Sequence, residues 1–310
     1  MDPAERPVAA SRRLRLATRR SKLALWQADH VAALLRAAHP GIEIDVVPLA
    51  TEGDRRVDVP LSEIGGKGVF ATEIQAALFD GRADVAVHSA KDLPAVTDDA
   101  LVLAAVPGRG EPRDALVGGR LDELREGAVV ATGSARRRAE LAHLRPDLRF
   151  AELRGNMATR LAKSVDFDAI VVAAVAFERL GMTEHLAELL EVDRVVPQVA
   201  QAALGLECRA GDEVSIELVR AIEHPVSRRR VDAERAFLAE LGGDCSLPAG
   251  AHAQLCSDGS MSLRAVLADQ VGGRILHDGA VVAAGADAGE IDRVGRDLAA
   301  RLRAGLEGTG

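Results

Sequence analysis

Three stretches of this sequence place hydroxyls and guanidiniums where a strand hands over to a helix. In ATGSARRR (131–138) a strand ends in a Thr-Gly-Ser turn and the next helix opens with three arginines. The free N–H groups of a helix N-terminus, the hydroxyls of Thr132 and Ser134, and the forks of Arg136 and Arg137 together suit an anion. A solvated basic helix face is the plainer reading of the same residues. TRRS (18–21), with Arg19 and Ser21, repeats the design at the head of the chain, and LRGN (153–156), with Arg154 and then Arg160 one turn into a helix, repeats it again. The chain as a whole is acidic, with 47 Asp and Glu against 39 Lys and Arg and a formal charge of −8. Positive charge gathered at three turns of such a chain points to a cleft for a polyanionic small molecule.

Two further stretches carry reactive groups. HSAKDLP (88–94) follows a buried strand at its carboxyl end, where open α/β sheets keep their ligand crevices. There Asp92, beside Lys91 and near arginines, could act as a general acid or an ion-pair partner. Asp-Leu-Pro is also an ordinary turn, and His88 reads as a packed histidine, since no GxSxG elbow surrounds Ser89 or Ser134. In GGDCSLP (242–248) glycines and a proline put Cys245 on a reachable loop, with an inert small hydrophobe as the plain alternative. His252 and Cys256 fit no zinc spacing, and no metal is expected. GGKG (65–68) lacks the frame of a P-loop, and no strand leads into GxGxxG.

The elements that must position these groups alternate strand and helix, the pattern of parallel α/β sheets. Strands are predicted at 14–18, 42–49, 84–89 and 101–106, with helices from Ser21 and over 70–79; a second set follows at 128–132, 148–153 and 169–173, with helices over 135–144 and 156–163. Residues 51–68 form a long polar loop, and PGRGEP (107–112) reads as a hinge. After a crossing at 195–201 and a strand at 203–208 the pattern changes, to a helix over 227–241, strands at 250–256 and 261–268, and a closing helix near 288–306. At 310 residues the chain is long enough for two or three domains, and three is the better count, the first assembled from two separated pieces.

Composition narrows the partners. A net negative chain with 2% aromatic residues, one Trp and no Tyr disfavours nucleic-acid binding. The longest uncharged apolar run, 169–177, is far short of the roughly 18 residues that would span a bilayer. The arginines before residue 21 are followed by no apolar stretch, so a secretory signal is not expected. Three cysteines without CxxC spacing fit a reducing compartment, the cytoplasm.

LRLATRRSKLALWQA (14–28), EIGGKGVF (63–70), AVHSAKDLP (86–94), EPRDALV (111–117), ATGSARRRAEL (131–141), LRGNMATRL (153–161) and LGGDCSLPAG (241–250) stand in the order and spacing of one family. From about Leu14 onward the chain resembles porphobilinogen deaminase, also called hydroxymethylbilane synthase. The resemblance implies an α/β protein of three domains, the first two like type II periplasmic binding proteins with a cleft between them, and the third a small α/β domain carrying the cofactor cysteine. Applied to this sequence it gives 14–107 plus about 200–222, then 112–197, then 223–310, with 1–13 as a disordered extension. It implies a cytoplasmic, monomeric transferase of tetrapyrrole (haem-type) biosynthesis with no nucleic-acid or membrane partner. Such an enzyme condenses four porphobilinogens head to tail on a dipyrromethane cofactor, here bound through a thioether to Cys245, with loss of ammonia and final hydrolysis to hydroxymethylbilane.

By the same resemblance Asp92 is the catalytic carboxylate, supported by Lys91, Arg19, Arg154 and Arg160. Thr132, Ser134, Arg136 and Arg137, with Lys91 and Asp92, hold the cofactor. Arg19, Ser21, Lys67, Phe70, Arg154, Arg160, Arg179 and Gln201 bind substrate. Each ring carries an acetate and a propionate, which explains the preference for arginine forks. Three positions depart from the family pattern: Glu63 where lysine is common, Gly133 where serine is common, and Ala202 where glycine is usual, a strained choice if that residue needs positive φ. A non-catalytic anion-binding protein on the periplasmic-binding scaffold is the alternative from another class, disfavoured by the Cys245 loop.

Overall fold

The computed structural model describes residues 13–51, 71–243, 247–269 and 273–308. The first sheet begins with β1 (Arg13–Arg19), β2 (Glu43–Leu49), β3 (Val85–Ser89) and β4 (Leu101–Ala105). The chain then supplies β5 (Asp114–Val117), β6 (Val129–Ala131), β7 (Arg149–Ala151), β8 (Ala169–Ala173) and β9 (Glu188–Leu189) to a second sheet, before returning to the first as β10 (Leu204–Arg209).

The two sheets share one design. Their orders are β2-β1-β3-β10-β4 and β7-β6-β8-β5-β9. In the first, β1 runs parallel to β2 and β3 while β10 lies antiparallel between β3 and β4; in the second, β6 runs parallel to β7 and β8 while β5 lies antiparallel between β8 and β9. Each reversed strand therefore arrives directly from the other sheet. The two connecting passages run side by side, tied by Gly110 N donating to Ala202 O at 3.4 Å and Arg109 Nε to Gln201 O at 2.8 Å.

Local sequence accounts for most of these elements. β3, β8 and β10 are buried along nearly their whole length because helices cover both faces. Helix α1 (Lys22–Ala38) starts at Ser21, whose hydroxyl accepts from Ala24 N at 3.2 Å, and buries Ala24, Ala28, Val31 and Leu35 at helical spacing. The chain continues through α2 (Thr72–Phe79), α3 (Ala135–Leu144), α4 (Met157–Lys163), α5 (Ala174–Arg179) and α6 (Glu213–Arg220). The apolar run 169–177 is divided between β8 and α5. Among the described residues no helix is long and apolar enough to cross a membrane.

The third unit is an antiparallel meander of β11 (Ala249–Leu255), β12 (Met261–Ala268) and β13 (Ile275–Val282). Helices α7 (Pro225–Glu240) and α8 (Ala288–Glu307) pack on it through Phe237, Leu298 and Leu302, against Leu263 and Ala251. The α/β expectation, with two sheets of one architecture and a small third unit, is met. Five elements were not anticipated: β5, β9, β13, α5 and α6. β13 is an exposed edge with Asp-Gly at its centre, which reads locally as a turn; its ladder to β12, from Met261↔Val282 to Ala268↔Ile275, makes it a strand.

The return passage holds two alanines in the left-handed region, Ala200 at φ 57° and Ala202 at φ 71°. The condition under which Ala202 would be strained is thus fulfilled, and Ala200 shares it, at roughly 1–2 kcal/mol for each. Their surroundings hold the conformation. Ala200 N donates to Glu234 Oε2 at 2.7 Å, and Ala202 O accepts from Arg179 Nη2 at 2.7 Å. Glu234, on α7, also accepts from Ala253 N at 2.8 Å and from Arg109 Nη1 at 2.6 Å. One buried carboxylate thus joins both passages to the third sheet.

Candidate active site

β3 ends in a short turn, Ala90–Asp92, that sets Asp92 at the carboxyl end of the sheet. Its Oδ2 stands 4.0 Å from Arg19 Nη1, both side chains about a quarter exposed (27% and 25%). They sit in a cleft of about 490 Å³ lined by Thr18, Ser21, Gln27, Ser89 and Lys91. His88 is packed beneath, its Nε2 3.1 Å from the buried Glu207 Oε2.

The second sheet brings up the other anion turns. Thr132 is buried and its Oγ1 accepts from Ser134 N at 3.1 Å. Ser134 caps α3 by accepting from Arg137 N at 3.4 Å, and Asn156 caps α4 by accepting from Thr159 N at 3.0 Å. Arg160 bonds Gly155 O at 2.9 Å through Nε. Burial pushes the Arg160 guanidinium down to about 10, helped by repulsion from Arg137 and Arg154 and opposed by Asp92. Burial also pushes Lys91 down to about 8, with Asp92 and Asp114 pulling it back and Arg137 and Arg160 adding to the fall. These shifts place Lys91, Asp92, Arg137, Arg154 and Arg160 in one electrostatic neighbourhood. Lys91, Arg154 and Arg160 form no ion pair among the described residues.

Arg136 and Arg137 face inward. Asp114, at the head of β5, accepts from Arg136 Nη2 at 2.6 Å, Arg137 Nη2 at 2.7 Å and Gln201 Nε2 at 2.8 Å. Burial alone would raise the Asp114 carboxyl; the two arginines overcome it and hold the group well below the carboxylate range. Arg136 also donates to Glu140 at 2.8 Å. The Nε atoms of both arginines remain buried with no partner among the described residues. A narrow crevice lies between Ser134, Arg136, Val199, Leu238 and Leu247, the last only two residues beyond Cys245 in sequence.

Gln201 is buried in the return passage, donating to Pro112 O at 2.8 Å and accepting from Lys91 Nζ at 3.3 Å. Arg179 is placed apart from the cluster: its guanidinium lies 5.3 Å over the Trp26 ring, and burial pushes it down to about 10. Cys245, Lys67, Phe70 and Glu63, with the loop 52–70 and residues 1–12, lie outside the described residues. Cys208 is buried, its thiol pushed up by burial to about 12. His252 lies 3.7 Å from Glu234, and burial takes it down to about 4.

Sequence reasoning passed over Asp114 and Glu207. Each is a lone acid in a buried, largely apolar strand, DALV and LGLECR, and that contrast is the signal that could have found them.

Comparison with known proteins follows the same division. Residues 14–217 match the family model "Porphobilinogen deaminase, dipyromethane cofactor binding domain", and residues 228–304 match "Porphobilinogen deaminase, C-terminal domain". A porphobilinogen deaminase of Nitratidesulfovibrio vulgaris is 44% identical over 296 residues, 94% of this chain and 93% of its own length. One from Syntrophotalea carbinolica is 44% identical over 274 residues, 87% of each. Among solved structures, a TRAP periplasmic solute binding protein from Desulfovibrio salexigens aligns at 9% identity and a TM-score of 0.45, covering 70% of this chain and 74% of that one, a likeness too loose to build on.

Proposed function

The chain belongs to the porphobilinogen deaminase family, and we propose that Asp92, flanked by Arg19 and Lys91, is the carboxylate around which it joins four porphobilinogen molecules head to tail. The activity is that of a transferase, a hydroxymethylbilane synthase: one ammonia is lost per ring added to a covalently held dipyrromethane, and water releases linear hydroxymethylbilane. We place the enzyme in the cytoplasm as a monomer, with units at 14–107 plus 200–222, 112–197 and 223–310.

The residues present fit the cofactor. A dipyrromethane bears acetates and propionates, and the cleft offers, among the described residues, cations without ion-pair partners in Lys91, Arg154 and Arg160 and unused buried donors in the Nε atoms of Arg136 and Arg137. Cys245 would hold it, with Thr132, Ser134, Arg136, Arg137 and Lys91 around its carboxylates. When bound, it supplies a terminal pyrrole carbon as the nucleophile.

The protein's own groups do the rest. Asp92 accepts a hydrogen bond from the substrate aminomethyl group and faces the positive charge left on the methylene carbon as ammonia departs. Arg19, 4.0 Å away, orients that carboxylate and takes a ring carboxylate of the incoming substrate. Arg154 and Arg160 take the side-chain carboxylates of the growing chain, with Ser21, Lys67 and Phe70 completing the substrate contacts. Gln201 acts through Lys91, and Arg179 through the return passage.

The observation that carries this assignment is the meeting of one carboxylate with cations from both sheets at the mouth of the cleft. Asp92→Asn is expected to lower turnover at least ~10²-fold, with the protein still folded and two pyrrole units still present in its intact mass. Full activity in that variant would remove Asp92 from the mechanism.

A further inference from the structure

We propose that Arg235, on the helix leading to Cys245, is a positioning residue for Asp92, fixing the turn that follows Asp92 from the side of the third sheet. The proposal rests on the reading of Asp92 given above. Arg235 Nη2 donates to Pro94 O at 3.0 Å, Ala95 O at 3.3 Å and Thr97 Oγ1 at 3.4 Å. These acceptors lie two, three and five residues past Asp92, where the backbone belongs to no helix or strand. Pro94 has no N–H of its own to give to a local turn. Arg235 thus adds an outside donor to the local bond from Leu93 N to Ala90 O at 3.3 Å that closes the turn.

The other end of the turn lies against a buried carboxylate. His88, four residues before Asp92, meets the fully buried Glu207 at 3.1 Å, and Glu207 also accepts from Gln75 Nε2 at 2.9 Å. Arg235 lies close enough to Glu207 to be stabilised by it. Asp92 is thus suspended between a strand-side anchor, His88 with Glu207, and a helix-side anchor, Arg235. The second anchor joins the loop carrying the carboxylate to the third unit, in whose sequence Arg235 stands ten residues before Cys245. A misplacement of about 1 Å between two such groups costs on the order of 10²-fold in rate. A planar fork reaching several carbonyls does this better than a single ammonium.

The test uses the cofactor-loaded enzyme, with kcat, KM and intact mass measured for Arg235→Gln, Arg235→Lys, Asp92→Asn and the double variant Arg235→Gln/Asp92→Asn. Expected is a folded, loaded Arg235→Gln with kcat lowered ~10–100-fold and KM within about twofold, and an intermediate loss of ~3–10-fold for Arg235→Lys. Because Arg235 acts through Asp92, adding Arg235→Gln to Asp92→Asn should bring little further loss. Losses that multiply in the double variant, or a raised KM at unchanged kcat, would overturn the proposal while leaving Asp92 in place. A fully active Asp92→Asn would instead remove the reading beneath it. Failure of both Arg235 variants to fold would assign the residue a structural role and overturn the positioning one.

Discussion

Replacing Glu234 by Gln tests how the three units are held together. The Glu234 and Arg109 side chains are 0% and 1% exposed, with contacts of 2.6 and 3.1 Å between guanidinium and carboxylate. Gln keeps the volume but offers one oxygen where the acid offered two, so the Arg109 charge stays buried without its partner, and Ala200 N and Ala253 N compete for what remains. Breaking a buried pair from one side costs about 3–5 kcal/mol. For a cooperative chain of 310 residues, at about 2.1 cal/mol/K per residue, each kcal/mol moves the melting temperature by about 1.5 °C, giving a fall of roughly 5–8 °C. The assay is thermal unfolding at neutral pH, with Asp297→Asn as control, because the Arg293–Asp297 pair carries the same charges at 63% and 58% exposure and should cost no more than ~1 kcal/mol. The pH dependence has a definite sign. Burial would raise the Glu234 carboxyl, but Arg109 and His252 bring it below its ordinary value. Its stabilisation is therefore complete above about pH 4.3 and is lost as pH falls through the lower folded value, a loss absent from Glu234→Gln. A shift for Glu234→Gln no larger than that of the exposed control would refute the reasoning.

Two further outcomes follow from other sites. Ala202→Gly should stay within about 1 kcal/mol of the parent, relief of strain offsetting lost burial and added unfolded-state freedom, whereas Ala202→Val should lose more than about 2 kcal/mol, because a β-branched residue at φ 71° is strained and crowds Ala173 and Val175; chemical denaturation ranks them, and a tolerated Val with a damaging Gly contradicts the account. With Lys91 at about 8, its support of Asp92 should be lost and kcat should fall as pH passes 8, and Lys91→Arg should abolish that limb. Over the same window the unfolded chain holds more protons at this lysine than the folded one, so its contribution to stability rises and the loss of activity is not unfolding.

The parts of the molecule that could be read in advance are those whose cause is local. Ser21 and Ser134 sit before apolar helical repeats and cap them, and continuous apolar runs such as 169–173 become central strands because both faces are covered. Arg19, Arg154 and Arg160 lie in short motifs that could be read as anion turns, while Asp92 and Lys91 stand in a separate turn after a buried strand. Asp114 was not visible, since its role depends on Arg136 and Arg137 from one distant stretch and Gln201 from another. The contacts of Arg179 were likewise not visible, since it lies over Trp26 and donates to Ala202 O, which come from stretches far apart in the chain. β13 was hidden because its evidence lies in its partner strand rather than in itself.

The interleaving of the two sheets bears on how the chain is made. A ribosome delivers β1 to β4 first, yet the strand that sits between β3 and β4 appears roughly a hundred residues later. Until then the nascent first half has a gap in the middle of its sheet, with unpaired edges on both sides of it. The second half, interrupted by nothing, can close on itself before that gap is filled. The later-encoded sheet is therefore the one positioned to fold first, and the crevice next to Asp92 takes shape only when β10 emerges.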